Sequence, residues 1–357
     1  MENVDLTMIG SAFLDKTVLV TGHTGFKGSW LALWLKHIGA KVKGLALAPD
    51  SVNNHWDCLG LDIQEYRVDV RDAAGLRKAL NSAKPDFIFH LAAQAFVRKS
   101  YKDPVSNWQS NVMGTINLLE ACRQTPNTAG ILVATSDKCY QNLEWNWGYR
   151  ESDPLGGHDP YSASKAAVEL AVSSYRSSFF SNADSPLLAT ARAGNVVGGG
   201  DWSEERLIPD IFRAIELNQP VYLRYPTATR PWQHVLDAIC GYLILGSRLL
   251  QGDRTCARAW NFGPGPEANR SVIEVLELLG RQWPSLHWEC DEYEHPHEAG
   301  LLYLDSSEAR ALLGWKPQWD LETTISRVSE WYQSWSEQGE VISQRQLLDF
   351  VGGGKKL

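Results

Sequence analysis

The chain has 357 residues, 44% of them apolar and 21% charged, and carries a net charge of −8. Its length allows two or three lobes, or one enlarged α/β domain with additions. A net negative chain without a block of like charge offers no footprint for nucleic acid or anionic lipid. No apolar run approaches the ~20 residues that span a bilayer, so neither nucleic acid nor membrane is expected as a partner.

The residues before Lys16 contain no basic segment leading into a long apolar stretch, so no secretory leader is expected and the cytoplasm is the default location. Cys58, Cys122, Cys139, Cys240, Cys256 and Cys290 show neither CxxC nor His-paired spacing, which predicts reduced, structural thiols. Fifteen tryptophans point to core and interface packing rather than to a binding platform.

A β-branched and apolar run over 16–20 predicts a buried parallel strand. Gly22, Gly25 and Gly28 follow it, and an apolar helix is expected over 29–38. In that order the glycines let the backbone turn sharply and approach a diphosphate, while the new helix presents unpaired N–H groups to the anion. A second strand over 41–47 completes the βαβ unit. The acid that usually holds an adenosine ribose is displaced to Asp50 or absent, and no arginine lies nearby in the sequence for a 2′-phosphate, so NAD is favoured over NADP.

Further strands are expected over 65–70, 87–93 and 131–136, alternating with helices, and the pattern predicts a doubly wound parallel α/β sheet. Leu91, Ala92 and Ala93 are small or apolar at a strand's C-terminal end, which suits either a cofactor lying against the backbone or close helix packing. Long amphipathic helices are expected over 103–122 and 161–180.

Tyr161 and Lys165 stand four residues apart, on one face of a helix and about one turn apart. A tyrosine with a pKa of roughly 10 is a poor base at neutral pH unless nearby positive charge stabilises its phenolate. Lys165 and an oxidised nicotinamide ring are candidates for that charge. Ser136, at the end of the strand 25 residues upstream of Tyr161, offers a hydroxyl to the substrate oxygen that the tyrosine deprotonates.

The glycine turn, Asp69 with Val70, the run from His90 to Gln94, Asn111 with Gly114 and Thr115, Ser136, and Tyr161 with Lys165 together resemble an extended short-chain dehydrogenase/reductase. The likeness runs over about 15–320 and is strongest to the nucleotide-sugar 4,6-dehydratases. It implies a Rossmann-type NAD-binding domain over 1–193 and a smaller α/β substrate lobe mainly within 194–357, with segments near 230–262 returning to the first domain. It also implies NAD as cofactor, held by Gly22, Thr24, Gly25, Phe26, Gly28, Asp69, Val70, Leu91, Ala92, Ala93, Thr135, Tyr161, Lys165 and Arg192. A nucleotide-hexose substrate is implied, CDP-glucose by overall likeness, contacted by Gln94, Ser136, Asn195, Arg206, Leu207, Arg230 and His297. A dimer, or a dimer of dimers, through the two long helices is implied as well.

By this resemblance NAD takes a hydride from sugar C4, water leaves across C5 and C6, and the hydride returns to C6. Ser136, Asp137, Lys138, Tyr161 and Lys165 are the catalytic candidates. Asp137 suits the acid for the C6 hydroxyl if its surroundings keep it protonated. Lys138 stands where these dehydratases commonly carry a glutamate base. It is either an amine that removes the C5 proton or a charge that steadies the enolate while Tyr161 abstracts it. Arg230 suits phosphate because a guanidinium fork bridges its oxygens. No metal site is expected, because His295 and His297 face apart around Pro296 and no companion cluster is visible. Dehydration of another nucleotide hexose, 4-epimerisation, and a non-catalytic NAD-binding scaffold remain alternatives.

Overall fold

A computed structural model describes residues 6–125, 128–291 and 299–352. In chain order, α1 (Leu6–Phe13), β1 (Thr17–Thr21), α2 (Phe26–His37), β2 (Lys41–Ala46), α3 (His55–Leu59), β3 (Gln64–Arg67), α4 (Ala73–Ala83) and β4 (Phe87–His90) come first. Helices α5 (Val97–Lys102), α6 (Pro104–Trp108) and α7 (Gly114–Arg123) follow, with a π-turn over Gln109–Met113 between the last two. Then come β5 (Gly130–Ala134), α8 (Pro160–Ser178) and β6 (Leu187–Ala193). The rest of the chain adds β7 (Val196–Val197), α9 (Leu207–Glu216), β8 (Val221–Leu223), β9 (Thr229–Pro231), β10 (Gln233–His234), α10 (Val235–Leu250), β11 (Ala259–Phe262) and β12 (Asn269–Ser271). It ends with α11 (Val272–Gly280), β13 (Trp288–Cys290), α12 (Ser307–Leu312), α13 (Leu321–Gln338) and α14 (Ser343–Gly352).

Seven parallel strands form the main sheet in the order β3-β2-β1-β4-β5-β6-β11. Every residue of β4, β5 and β6 is buried, as expected where helices cover both faces of a parallel sheet. On one face Trp30, Trp34 and the apolar side chains of α10 pack under the strands; on the other Leu76, Leu80, Leu118 and Val168 of α4, α7 and α8 do so. The order reverses between β2 and β4 around β1, and this switch point opens a crevice beyond the strands' C-terminal ends.

Past β6 the chain leaves the sheet and makes three small strand pairs, β7 with β10, β9 with β12 and β8 with β13. It comes back in α10, which packs on α1, α2 and β5, and in β11, which takes the edge beside β6. Fourteen residues of α10 are buried, because the helix is enclosed on every side, and that explains its apolar composition all round. Much of the tryptophan excess is in this packing. Trp30 donates to the Gly199 carbonyl at 2.9 Å, and the Trp331 ring fills the space a side chain at Gly199 would need.

Several boundaries differ from the sequence expectation. Helix α2 starts at Phe26 rather than 29, since Gly25 (φ −81°, ψ 168°) is extended and serves as its N-cap. The expected helix over 103–122 is broken by the π-turn that carries Asn111. Strand β4 ends at His90, which leaves Leu91, Ala92 and Ala93 as irregular backbone in the crevice.

Candidate active site

The crevice floor is the glycine turn between β1 and α2. Gly22 takes a left-handed φ of +73°, and a Cβ there would lie 2.8 Å from the Ala92 nitrogen, so the turn sits directly against the backbone after β4. A Cβ on Gly28 would lie 2.1 Å from the Gly22 carbonyl oxygen. No side chain caps α2, so its first N–H groups face the crevice with the helix dipole behind them. Bare backbone and uncapped N–H groups fit a dinucleotide's diphosphate. Gly28→Ala is accordingly expected to abolish NAD binding in a fluorescence titration; unchanged affinity contradicts this placement.

The Thr24 hydroxyl donates to the Leu47 carbonyl at 3.1 Å and ties the turn to the end of β2. Thr21 Oγ1 lies 2.7 Å from His90 Nδ1 and accepts from the Leu91 and Ala92 nitrogens at 3.2 Å. Burial, then the Lys165 charge, pushes His90 down to about 3, so it is a neutral link between Thr21 and Thr115. Asp69 accepts from the Arg71 guanidinium and backbone nitrogen, which holds its carboxyl below the usual range. Val70 is buried against Gly114.

Parallel pairing of Ala46 with Arg67 brings an arginine beside the end of β2, which corrects the reading that none lies nearby. Its donors go to Glu65 at 2.7 Å and the Leu47 carbonyl at 3.0 Å. Glu65 also lies 2.7 Å from Nε2 of His23, a fully buried ring of the glycine turn stacked edge-on against Trp56. None of these three contacts is visible without the β2–β3 register.

Tyr161 and Lys165 lie on the first turns of α8, which starts at Pro160 with the Asp159 carboxylate accepting from the Ser162 nitrogen. Ser100 accepts from the Tyr161 nitrogen at 3.1 Å. Asn111, in the π-turn, donates to Ser164 Oγ at 2.9 Å and to the Gln94 carbonyl at 3.0 Å, and accepts from the Gln94 nitrogen at 2.8 Å. The break in the helix thus pins the Gln94 loop to α8. Lys165 Nζ stands 5.8 Å from the Tyr161 ring centroid.

Burial pushes the Tyr161 phenol up to about 12, against the Ser136 hydrogen bond and the Arg206 charge, which pull it down. The chain by itself therefore does not lower this tyrosine, contrary to the expectation from Lys165 alone. Burial also lowers the Lys165 amine, to about 8, against the opposing charge of Glu169.

Glu169, four residues after Lys165, was missed in the sequence although its spacing places it on the same face. It accepts from Thr135 Oγ1 at 2.5 Å, Thr190 Oγ1 at 2.8 Å and Arg192 Nη2 at 2.9 Å. Burial opposes its charge, but Arg192 and these donors outweigh it and keep the carboxyl below its ordinary value. Arg192 also donates to the Tyr140 hydroxyl at 2.7 Å and the Glu151 carbonyl at 3.2 Å. Its guanidinium is thus buried and held by three protein partners. Glu169→Leu, which leaves that cation buried and unpaired, is expected to lower unfolding free energy by about 3–5 kcal/mol in a urea titration; no measurable loss contradicts the pairing.

Ser136 and Asp137 follow β5. Ser136 Oγ donates to Asp137 Oδ1 at 2.9 Å, accepts from the Lys138 nitrogen at 3.2 Å and is hydrogen-bonded to the Tyr161 side chain. Asp137 is 2% exposed, and its Oδ2 has no hydrogen-bond partner among the described residues. Gly194 faces that oxygen, and a Cβ there would lie 3.1 Å from it. Burial raises the Asp137 carboxyl, against the charges of Lys138 and Arg230 and the Ser136 bond. Lys138 is partly buried on the 3₁₀ turn that follows.

From the second lobe, the Asn195 backbone carbonyl accepts from the Gln233 backbone nitrogen at 3.1 Å. Arg206 pairs with Asp201 at 3.3 Å and lies over the Phe96 ring, and Leu207 begins α9. Arg230 is 5% exposed on β9, donates to the Thr229 carbonyl at 2.8 Å and acts on Asp137 by its charge. His297 lies outside the described residues, as do His295 and Pro296. Among the described residues no group of three His, Cys, Asp or Glu side chains could hold a metal, and no helix is long and apolar enough to cross a membrane.

Comparisons with known proteins place the chain in a family and a fold. The family described as GDP-mannose 4,6 dehydratase matches residues 19–328. A CDP-glucose 4,6-dehydratase of Salmonella typhimurium is 45% identical over 345 residues, which cover 94% of this chain and 96% of that protein. Among solved structures, dTDP-glucose 4,6-dehydratase from Streptomyces venezuelae with NAD bound superposes with a TM-score of 0.74 at 25% identity, covering 90% of this chain and 98% of its own. An epimerase from Methanothermobacter thermautotrophicus superposes with a TM-score of 0.82 at 24% identity, covering 93% and 97%, and shares the fold.

Proposed function

The chain belongs to the GDP-mannose 4,6 dehydratase family, and from that membership we propose that it catalyses the NAD-dependent 4,6-dehydration of CDP-glucose to CDP-4-dehydro-6-deoxy-glucose and water. The observation that carries dehydration over 4-epimerisation is Asp137. Inverting C4 requires no acid beside the tyrosine, whereas expelling the C6 hydroxyl does, and a buried carboxyl with one free oxygen is such an acid.

Bound NAD supplies the hydride acceptor and a positive charge near Tyr161. Tyr161 takes the proton of the C4 hydroxyl, helped by the Ser136 hydrogen bond and the Arg206 charge. Lys165 is placed to orient the cofactor's ribose, and the Glu169 charge favours its ammonium form. Asp137 gives its proton to the C6 hydroxyl as water leaves. We place Lys138 at C5, where solvent deuterium exchange in a Lys138→Met protein separates its two roles. Loss of exchange makes it the base, and exchange at the normal rate eliminates it.

Proton bookkeeping gives Ser136 a second duty. The C4 hydroxyl delivers one proton to Tyr161 and the departing water takes one from Asp137, while the overall reaction releases none. Each turnover must therefore end with a proton passing from Tyr161 to Asp137. Ser136 is hydrogen-bonded to both side chains and bridges them.

Asn195, Arg206 and Arg230 are proposed to hold the sugar's diphosphate, with Gln94 and Leu207 beside the hexose. The working division is an NAD-binding domain over 1–193, rejoined by α10 and β11, and a nucleotide-sugar lobe built from the remaining segments. Val105, Trp108, Met113, Leu170 and Phe179 are exposed apolar side chains in the helical segment over 97–123, on α8 and at its C-cap, and they support a homodimer through these helices. A cytoplasmic role in deoxysugar synthesis for a lipopolysaccharide O-antigen completes the reading.

Turnover of CDP-, dTDP-, UDP- and GDP-glucose side by side tests the proposal. CDP-glucose is expected to be consumed fastest, giving a 4-keto-6-deoxy product that absorbs in alkali. Release of a galactose isomer, or preference for another base, contradicts it.

A further inference from the structure

Lys27 belongs to the glycine turn but to none of the roles above. It stands in the first turn of α2 between Phe26 and Gly28, partly buried, with its Nζ 5.9 Å from the centroid of the Tyr242 ring on α10. Tyr242 is fully buried, its hydroxyl has no partner among the described residues, and it interacts electrostatically with Tyr161. The Lys27 amine thus lies within electrostatic reach of the groups around Tyr161.

The charged groups that act on it come from three other places: Lys165 on α8, Arg206 at the start of α9 and Asp137 after β5. Two of the three are cations, and burial favours the uncharged form of the third. Among the described residues Lys27 has neither an ion pair nor a hydrogen bond of its own. An amine facing other cations without an ion pair of its own is completed by an anion. The uncapped N–H groups of the same helical turn already suit a diphosphate.

We propose that Lys27 holds the diphosphate of the dinucleotide as an ammonium and takes up its proton as the dinucleotide binds. The inference rests on the glycine turn being the NAD site. In the ligand-free chain burial, then the Lys165 charge, then the Arg206 charge lower the amine to about 7. A diphosphate raises it again. At pH 6 the amine already carries its proton and binding takes up almost none. At pH 8 it is mostly neutral, so binding takes up about one proton and affinity falls as pH rises through this range.

Calorimetric titration of the full chain with NAD, at pH 6 in MES and in Bis-Tris and at pH 8 in HEPES and in Tris, reads proton uptake directly from the difference between the two buffers. Uptake approaching one proton per NAD is expected at pH 8, and close to none at pH 6. Lys27→Met is expected to remove the uptake and to weaken NAD binding about tenfold at pH 6, one charge-assisted contact being lost. Lys27→Arg, permanently charged, should keep the affinity without the uptake. CDP in place of NAD should bring no uptake, which distinguishes the cofactor's diphosphate from the substrate's.

Wild-type binding without uptake at pH 8, uptake that survives Lys27→Met, or uptake with CDP instead of NAD overturns the proposal. Each of these results leaves the dehydratase reading intact, whereas a wild-type chain that binds no NAD removes both.

Discussion

Tyr161→Phe is expected to lower kcat about a thousandfold, in the middle of the 10²–10⁴ range for a positioned general base, while the fold persists. The ring packing, the Ser100 contact to the backbone nitrogen and the Asp159 cap of α8 do not depend on the hydroxyl. What disappears is the oxygen that accepts the C4 proton and one end of the Ser136 bridge. Initial rates at saturating CDP-glucose and NAD measure this; a loss below tenfold contradicts the role. Because burial pushes the phenol up to about 12 in the ligand-free chain, the oxidation step should speed up as pH rises, and Tyr161→Phe should lose that rise.

Asp137→Asn is expected to separate oxidation from dehydration. The amide keeps the volume and can accept from Ser136, but it has no acidic proton for the C6 hydroxyl. Product formation should fall about a hundredfold to ten-thousandfold. Absorbance at 340 nm should rise on mixing with CDP-glucose and NAD and then persist, because C4 oxidation proceeds and its successor stalls. Equal loss of both signals contradicts the division of labour. Burial raises the Asp137 carboxyl, so its acid form survives to higher pH than that of an exposed aspartate. The dehydration step should weaken as pH rises through that raised value, opposite in sense to the tyrosine limb.

The glycine turn, Ser136 and the Tyr161–Lys165 pair were legible because their chemistry is written in local spacing, and the alternation of strands and helices carried the sheet. Asp137 was legible as a candidate, but its free oxygen and the room left by Gly194 depend on packing. Arg192 differs: its motif position suggested a cofactor contact, but its pairing with Glu169 across β6 and α8 could not be read from the motif. His23, Glu65 and Arg67 converge only through the pairing of β2 with β3, and Lys27 depends on where a long side chain points across to α10. Neither register nor side-chain direction can be read from one sequence. Strand and helix ends shifted by a few residues where a glycine cap or a π-turn overrode periodicity.

The fate of one hydrogen distinguishes 4,6-dehydration with internal return of the hydride from every alternative. Purified protein given NAD and CDP-glucose labelled with deuterium at C4 should release CDP-4-dehydro-6-deoxy-glucose with that deuterium at C6, read by NMR of the product. Deuterium at C4 of a galactose isomer, or lost to solvent, would contradict it.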